Sequence, residues 1–194
     1  VEPPEQIFIG DVPIGVVTGD FNSDGQVDVA VARDSLTQVY FGDGANNFGS
    51  DVSLENLDFA STLGLVTEDF DGDGADDIAV LTDTHIELFR SVGNVGNGRG
   101  DFERFGAAAR LETRSQYEGL AIVAARVNQD TDVDLVVSFP DAGQIGIWFG
   151  DGQGGFSFSE FLSGASRPMG IAVADFNDDG NADILAADNG AIVT

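Results

Sequence analysis

Four nonapeptides carry the chemistry this sequence offers. They are DFNSDGQVD at 20–28, DFDGDGADD at 69–77, RVNQDTDVD at 126–134 and DFNDDGNAD at 175–183, with starts 49, 57 and 49 residues apart. Oxygen-bearing side chains recur at alternate positions, as a chain needs in order to wrap a hard cation in about six to eight oxygen ligands. In the first loop the donors at positions 1, 3, 5 and 9 are Asp20, Asn22, Asp24 and Asp28, with the backbone carbonyl of Gln26 at position 7. The second offers Asp69, Asp71, Asp73, Asp77 and the carbonyl of Ala75; the fourth offers Asp175, Asn177, Asp179, Asp183 and the carbonyl of Asn181. Gly at position 6 of each permits a sharp turn. The pattern predicts three Ca²⁺ sites. Carboxylates packed this closely repel one another unless a cation lies between them. The expected role is structural, because full protein ligation leaves little room for substrate at the ion. Asp, Asn and Gly also favour turns on their own, but turn preference does not place three such loops in register with a longer repeat.

The third loop departs from the pattern. Arg126 stands at position 1 and Thr131 replaces the turn glycine. It is predicted to be metal-free, with the Arg126 guanidinium set among Asp130, Asp132 and Asp134 as a fixed substitute for the ion.

The elements that must position these loops also repeat. A short apolar stretch precedes each loop, beginning at Gly15, Gly64, Gly119 and Gly170, and a β-type run follows it, over 27–32, 78–82, 133–139 and 184–187. Third runs lie at 38–41, 86–89 and 144–149, and fourth runs start at Phe48, Phe102 and Phe156 after Gly-rich loops, the longest over 91–101. Four short strands in about 50 residues is the size of a propeller blade. The expected fold is all-β: a β-propeller of four-stranded antiparallel blades, four in this chain. Residues 1–10 form a closing strand, 11–57 blade 1, 58–113 blade 2, 114–163 blade 3 and 164–194 an incomplete blade 4. The strand surplus at one end matches the deficit at the other, so the N-terminal strand is expected to complete the last blade and cover exposed edges. A closed monomeric ring or a homodimer satisfies this count. Asn189-Gly190 is expected to turn the last hairpin.

The bulk composition narrows the function. The chain has 194 residues, 34 acidic and 8 basic, all eight of them Arg, for a net charge of −26. Such a surface opposes nucleic-acid phosphates and anionic membranes. There is no Cys and one His, so disulfides, thiolate nucleophiles and His-pair metal sites are excluded, and no apolar run is long enough to insert in a membrane. Fifteen of the acids lie in the four loops, so much of the charge sits where calcium is expected. The chain begins at Val1, without Met, and is expected to be a processed product or an excised piece.

The pattern D-x-[DN]-x-[DN]-G-x-x-D, in units with Phe-Gly pairs at Phe41-Gly42 and Phe149-Gly150, each followed by Asp-Gly, resembles the FG-GAP (VCBS-like) repeat of integrin α-chain propellers and many extracellular proteins. The Gly-Ala-Pro half of the motif is missing, and Phe89-Arg90 stands in place of the pair in unit two. The resemblance covers essentially the whole chain. It implies a β-propeller with Ca²⁺ in its hairpin loops, in a secreted or surface-exposed protein. Members of the family usually carry more than four repeats, so a piece of a longer propeller is a further expectation.

Other features carry less. Arg99-Gly100-Asp101 is an integrin-binding tripeptide in an expected exposed loop, explained by a composition rich in Gly and Asp. His85 is expected at the surface. Tyr40, Phe89 and Trp148 occupy equivalent third-strand positions and should pack between blades. Phe21, Phe70 and Phe176 at position 2, with Val127 as the fourth, should be core plugs that anchor the loops. The expected function is a non-enzymatic, calcium-stabilised binding or adhesion module for a protein or glycan, with no catalytic residues. The alternatives are the propeller domain of a polysaccharide hydrolase or lyase, and a structural spacer. A lectin would require a recurrent aromatic and polar pocket between blades.

Overall fold

The computed structural model describes residues 10, 12–45, 47–94, 100–104, 110–113, 118–188 and 191–193. It is all-β apart from short 3₁₀ turns, and every described strand pairing is antiparallel. The first sheet is β1 (Gly15–Gly19), β2 (Asp28–Arg33), β3 (Leu36–Gly42) and β4 (Phe48–Glu55), paired in chain order. The second is β5 (Thr62–Glu68), β6 (Asp77–Thr82), β7 (His85–Asn94) and β8 (Gly100–Arg104), with β9 (Arg110–Glu112) also on β7. The third is β10 (Ala121–Ala125), β11 (Asp134–Phe139), β12 (Gln144–Gly150) and β13 (Phe156–Ser163). The fourth has three strands, β14 (Gly170–Ala174), β15 (Asp183–Asp188) and β16 (Ala191–Val193). The expected closing strand lies, except for Gly10, outside the described residues, as do Asn189-Gly190 and Arg99.

Strand character follows from what covers each face. The second strands β6 and β11, DIAVLT and DLVVSF, are buried at all six positions, and their near-continuous apolar runs suit strands covered on both faces. The first strand β1 alternates between exposed and half-buried positions. Ala30, Val39, Phe41 and Leu54 of the first sheet pack on Leu65, Ile78, Val80 and Phe89 of the second. Leu81 and Leu88 of the second pack with Leu135, Val137 and Trp148 of the third. The third and fourth sheets share a smaller cluster around Val136, Ile145 and Ala186. First strands of successive sheets lie side by side, β1 by β5, β5 by β10 and β10 by β14.

The register corrects one reading. Val29 pairs with Tyr40, Ile78 with Phe89 and Leu135 with Trp148. Tyr40, Phe89 and Trp148 are therefore equivalent, as expected, and all three are buried. The counterparts of Phe41-Gly42 and Phe149-Gly150 are then Arg90-Ser91, one residue beyond Phe89-Arg90. The glycine has a steric cause: a Cβ at Gly42 would lie 2.3 Å from the Val27 carbonyl oxygen, and one at Gly150 would lie 2.2 Å from that of Val133.

Two further expectations fail. His85 is fully buried. Its Nε2 lies 2.8 Å from Glu87 Oε1 and its Nδ1 lies 2.7 Å from Thr84 Oγ1. Glu87, equally buried, also accepts the Leu57 N–H. Phe176 is 50% exposed, whereas Phe21 and Phe70 are 0% and 2% exposed. Phe21 packs on Phe102 at 5.9 Å and Phe70 on Phe156 at 5.5 Å, each ring belonging to the next sheet. Among the described residues no sheet follows the fourth, so Phe176 lacks that partner. Val127 is a half-buried plug against the third–fourth cluster.

Candidate metal centre

Each acidic loop closes the hairpin between the first two strands of its sheet. The closing pairs are Gly19–Asp28, Glu68–Asp77, Ala125–Asp134 and Ala174–Asp183. Position 9 is thus already on the second strand, and its carboxylate works as a staple. One oxygen of Asp28 accepts the Phe21 N–H at 2.9 Å and the other the Gly42 N–H at 2.8 Å. Asp77 does the same for Phe70 and Ser91, and Asp134 for Val127 and Gly150. Asp183 accepts the Phe176 N–H. Burial pushes the Asp28 carboxyl up to about 6 and the Asp77 carboxyl up to about 7, against the pull of their N–H donors. A cation nearby would draw both back down.

Inside loops 1, 2 and 4 one frame of backbone-to-side-chain hydrogen bonds recurs. The position-1 carboxylate accepts from the N–H groups of positions 5 and 6: Asp20 from Asp24 and Gly25, Asp69 from Asp73 and Gly74, Asp175 from Asp179 and Gly180. The position-3 oxygen accepts the position-5 N–H, and the position-5 carboxylate accepts the position-7 N–H. The backbone allows this by taking positive φ twice, at Ser23, Gly72 and Asp178 (position 4) and at Gly25, Gly74 and Gly180 (position 6). In loop 2, ligand oxygens of Asp69, Asp71 and Asp77 all lie within 4.8 Å of one another. This donor set of clustered carboxylate oxygens fits Ca²⁺. Burial raises the Asp71 pKa, and the neighbouring Asp73 charge adds to the effect.

Loop 3 is built with the opposite polarity. Neither Gln129 nor Thr131 has positive φ; a β-branched residue adopts that region at high cost. The Arg126 Nε donates to the Thr131 carbonyl oxygen at 2.7 Å. A backbone acceptor at position 6 thus meets a side-chain donor at position 1, where the other loops have a backbone donor and a side-chain acceptor. The expected setting of Arg126 among the acids is corrected: among the described residues no ion pair joins it to Asp130, Asp132 or Asp134. The turn carbonyl holds it instead.

Sequence reasoning missed the ties between loops. Asp76 accepts the Asp20 N–H at 2.8 Å and donates its own N–H to the Asp20 carbonyl at 3.1 Å. Ser91 Oγ donates to the Phe21 carbonyl, and the Gly154 N–H to the Phe70 carbonyl at 3.0 Å. The signal for Asp76 was its position: the other loops have Val27, Val133 and Ala182 there. The tripeptide at 99–101 is not in an exposed loop over its described part. Gly100 opens β8 and is buried beneath the Phe21 carbonyl, while Asp101 is exposed.

A cavity of about 410 Å³ is framed by Val17 and Thr18, Val66 and Thr67, and Ile122 to Ala124, on the first strands of three sheets. No aromatic ring lines it, so it is not the pocket a lectin would require. No helix among the described residues is long and apolar enough to cross a membrane.

Comparison with known proteins agrees with this architecture. The FG-GAP-like repeat profile matches residues 20–80 and 126–186, more than half of the chain. No curated protein sequence matches it. Among solved structures, BBS1N in complex with ARL6DN is similar at a TM-score of 0.59 and 18% identity, over 93% of this chain and 52% of that one. The rhamnogalacturonan lyase PL11 of Bacillus licheniformis is similar at 0.52 and 15%, over 91% of this chain and 40% of that one. The chain therefore spans about half the length of these structures or less. At such identities the likeness shows the β-propeller fold alone.

Proposed function

The chain belongs to the FG-GAP-like repeat family, and from that premise we propose that it is a calcium-stabilised β-propeller module for binding, or adhesion to, a protein or glycan outside the cell. The observations that carry the metal reading are the hydrogen-bond frame shared by loops 1, 2 and 4, which fixes the side-chain oxygens of positions 1 and 3 on the loop's own N–H groups, and the approach of Asp69, Asp71 and Asp77 oxygens to within 4.8 Å of one another in loop 2. Calcium would be held by Asp20, Asn22, Asp24, the Gln26 carbonyl and Asp28; by Asp69, Asp71, Asp73, the Ala75 carbonyl and Asp77; and by Asp175, Asn177, Asp179, the Asn181 carbonyl and Asp183. Its chemistry there is charge neutralisation. The ion screens the loop carboxylates and pins the hairpin to the next blade, through ties such as Asp20–Asp76. Four blades in this chain, completed by the N-terminal strand, by a second copy or by further repeats of a longer propeller, are the assembly reading. Net acidity supports an exterior location and argues against nucleic-acid partners. The one histidine is sealed in the core beside Glu87, which supports a non-enzymatic role. Binding to arrays of glycans and extracellular proteins tests the proposal. A calcium-dependent signal abolished by EDTA is the expected result, and cleavage of a polysaccharide by the purified chain would overturn the non-enzymatic reading.

A further inference from the structure

Loop 2 differs from the other acidic loops at two places at once, and the two places touch. At position 3 it has Asp71, where the others have Asn22, Asn128 and Asn177. On the third strand it has Arg90, where the register gives Phe41 and Phe149 in the first and third sheets. Arg90 Nε lies 2.5 Å from Asp71 Oδ2, its NH2 group 3.3 Å from Asp73 Oδ2 and its NH1 group 3.5 Å from Glu103 Oε1. In loops 1 and 3 the position-3 amide supplies the corresponding donor: Asn22 Nδ2 reaches Asp24 Oδ2 at 3.1 Å, and Asn128 Nδ2 reaches Asp130 Oδ2 at 2.7 Å. A carboxylate at position 3 has no N–H to give. The guanidinium arriving from β7 replaces the missing donor and balances the added charge.

We propose that Arg90 is an internal counter-cation of loop 2, holding its acids together without metal and competing with a divalent ion for Asp71. The proposal rests on the calcium reading above and reverses the ranking that charge alone would give. Loop 2 has five Asp, against three in loop 1 and four in loop 4. On charge alone it would bind calcium most tightly; with Arg90 seated on Asp71 it binds less tightly than its acids imply, and keeps its shape when calcium is withdrawn.

The test uses the full chain, with Arg90→Gln, Arg90→Phe, and Arg90→Phe combined with Asp71→Asn, which recreates the Asn-and-Phe arrangement of the first sheet. Calorimetric titration with CaCl₂ should show one site tightening roughly tenfold in Arg90→Gln, since a unit charge close to a divalent ion is worth about that even at water-like permittivity. In EDTA both single variants should melt lower than wild type and the double variant should recover, while in saturating calcium the differences should close. Unchanged affinity with calcium bound at the other loops would overturn this proposal alone. Absence of calcium binding in every variant would overturn it through the reading on which it rests. An EDTA melt unaffected by Arg90→Gln would remove the counter-cation role whatever calcium does.

Discussion

Loop 1 and loop 3 perform the same architectural task with opposite electrostatics. Both join the first two strands of a sheet, and both end in a buried Asp that staples two backbone N–H groups, Asp28 in one and Asp134 in the other. They differ at positions 1 and 6. In loop 1 a carboxylate faces N–H groups across a left-handed glycine; in loop 3 a guanidinium faces a carbonyl beside a threonine. What the two hairpins share is a position-1 group of polarity opposite to the turn peptide. Under the calcium proposal, loops with Asp there gather negative charge for a cation to relieve, and the loop with Arg needs none.

The largest effect that would break this comparison is calcium withdrawal. With each site near 100-fold over its Kd, one ion stabilises by about 2.7 kcal/mol. Three ions at ~2–4 °C per kcal/mol predict that EDTA lowers Tm by roughly 15 °C or more. Equal melting curves in calcium and EDTA would refute structural calcium in all three loops.

Next come the staples. Asp28→Ala and Asp134→Ala each leave two N–H groups without their acceptor, at about 1–3 kcal/mol per group. Chemical denaturation should show the Asp134→Ala loss to be the same in calcium and EDTA, and the Asp28→Ala loss to be larger in calcium. Asp183→Ala should cost less than either, because Asp183 is half-buried and holds one such N–H, that of Phe176.

Smaller still is the gain expected from converting loop 3. Arg126→Asp with Thr131→Gly restores the acceptor and the left-handed turn together, and should add one calcium site by titration, worth about 3 kcal/mol at 100-fold saturation. The smallest effect is Arg126→Ala, which removes the single hydrogen bond to Thr131 and should cost about 1 kcal/mol, independent of calcium. A calcium-dependent cost would mean that loop 3 resembles its siblings.

The strand repeat, the loop positions and the third-strand aromatics were legible in the sequence because each is a local pattern repeated in register. What escaped depends on partners far along the chain. His85 reads as a surface residue, yet it is buried against Glu87, which also takes the N–H of Leu57 from a connector far along the chain. Phe176 shares its local motif with Phe21 yet is half exposed, because the ring that covers Phe21 comes from the following sheet. Arg90 was read one residue out of register, and only the pairing of Ile78 with Phe89 places it opposite the second loop. Arg126 pointed to charge substitution, but its partner is a carbonyl exposed by the turn that Thr131 imposes.

The most direct test of the central claim is an anomalous-scattering map from crystals grown in calcium. The account predicts three peaks per chain, inside the loops at 20–28, 69–77 and 175–183, and none inside 126–134. A peak in the Arg126 loop, or none in the other three, would contradict it.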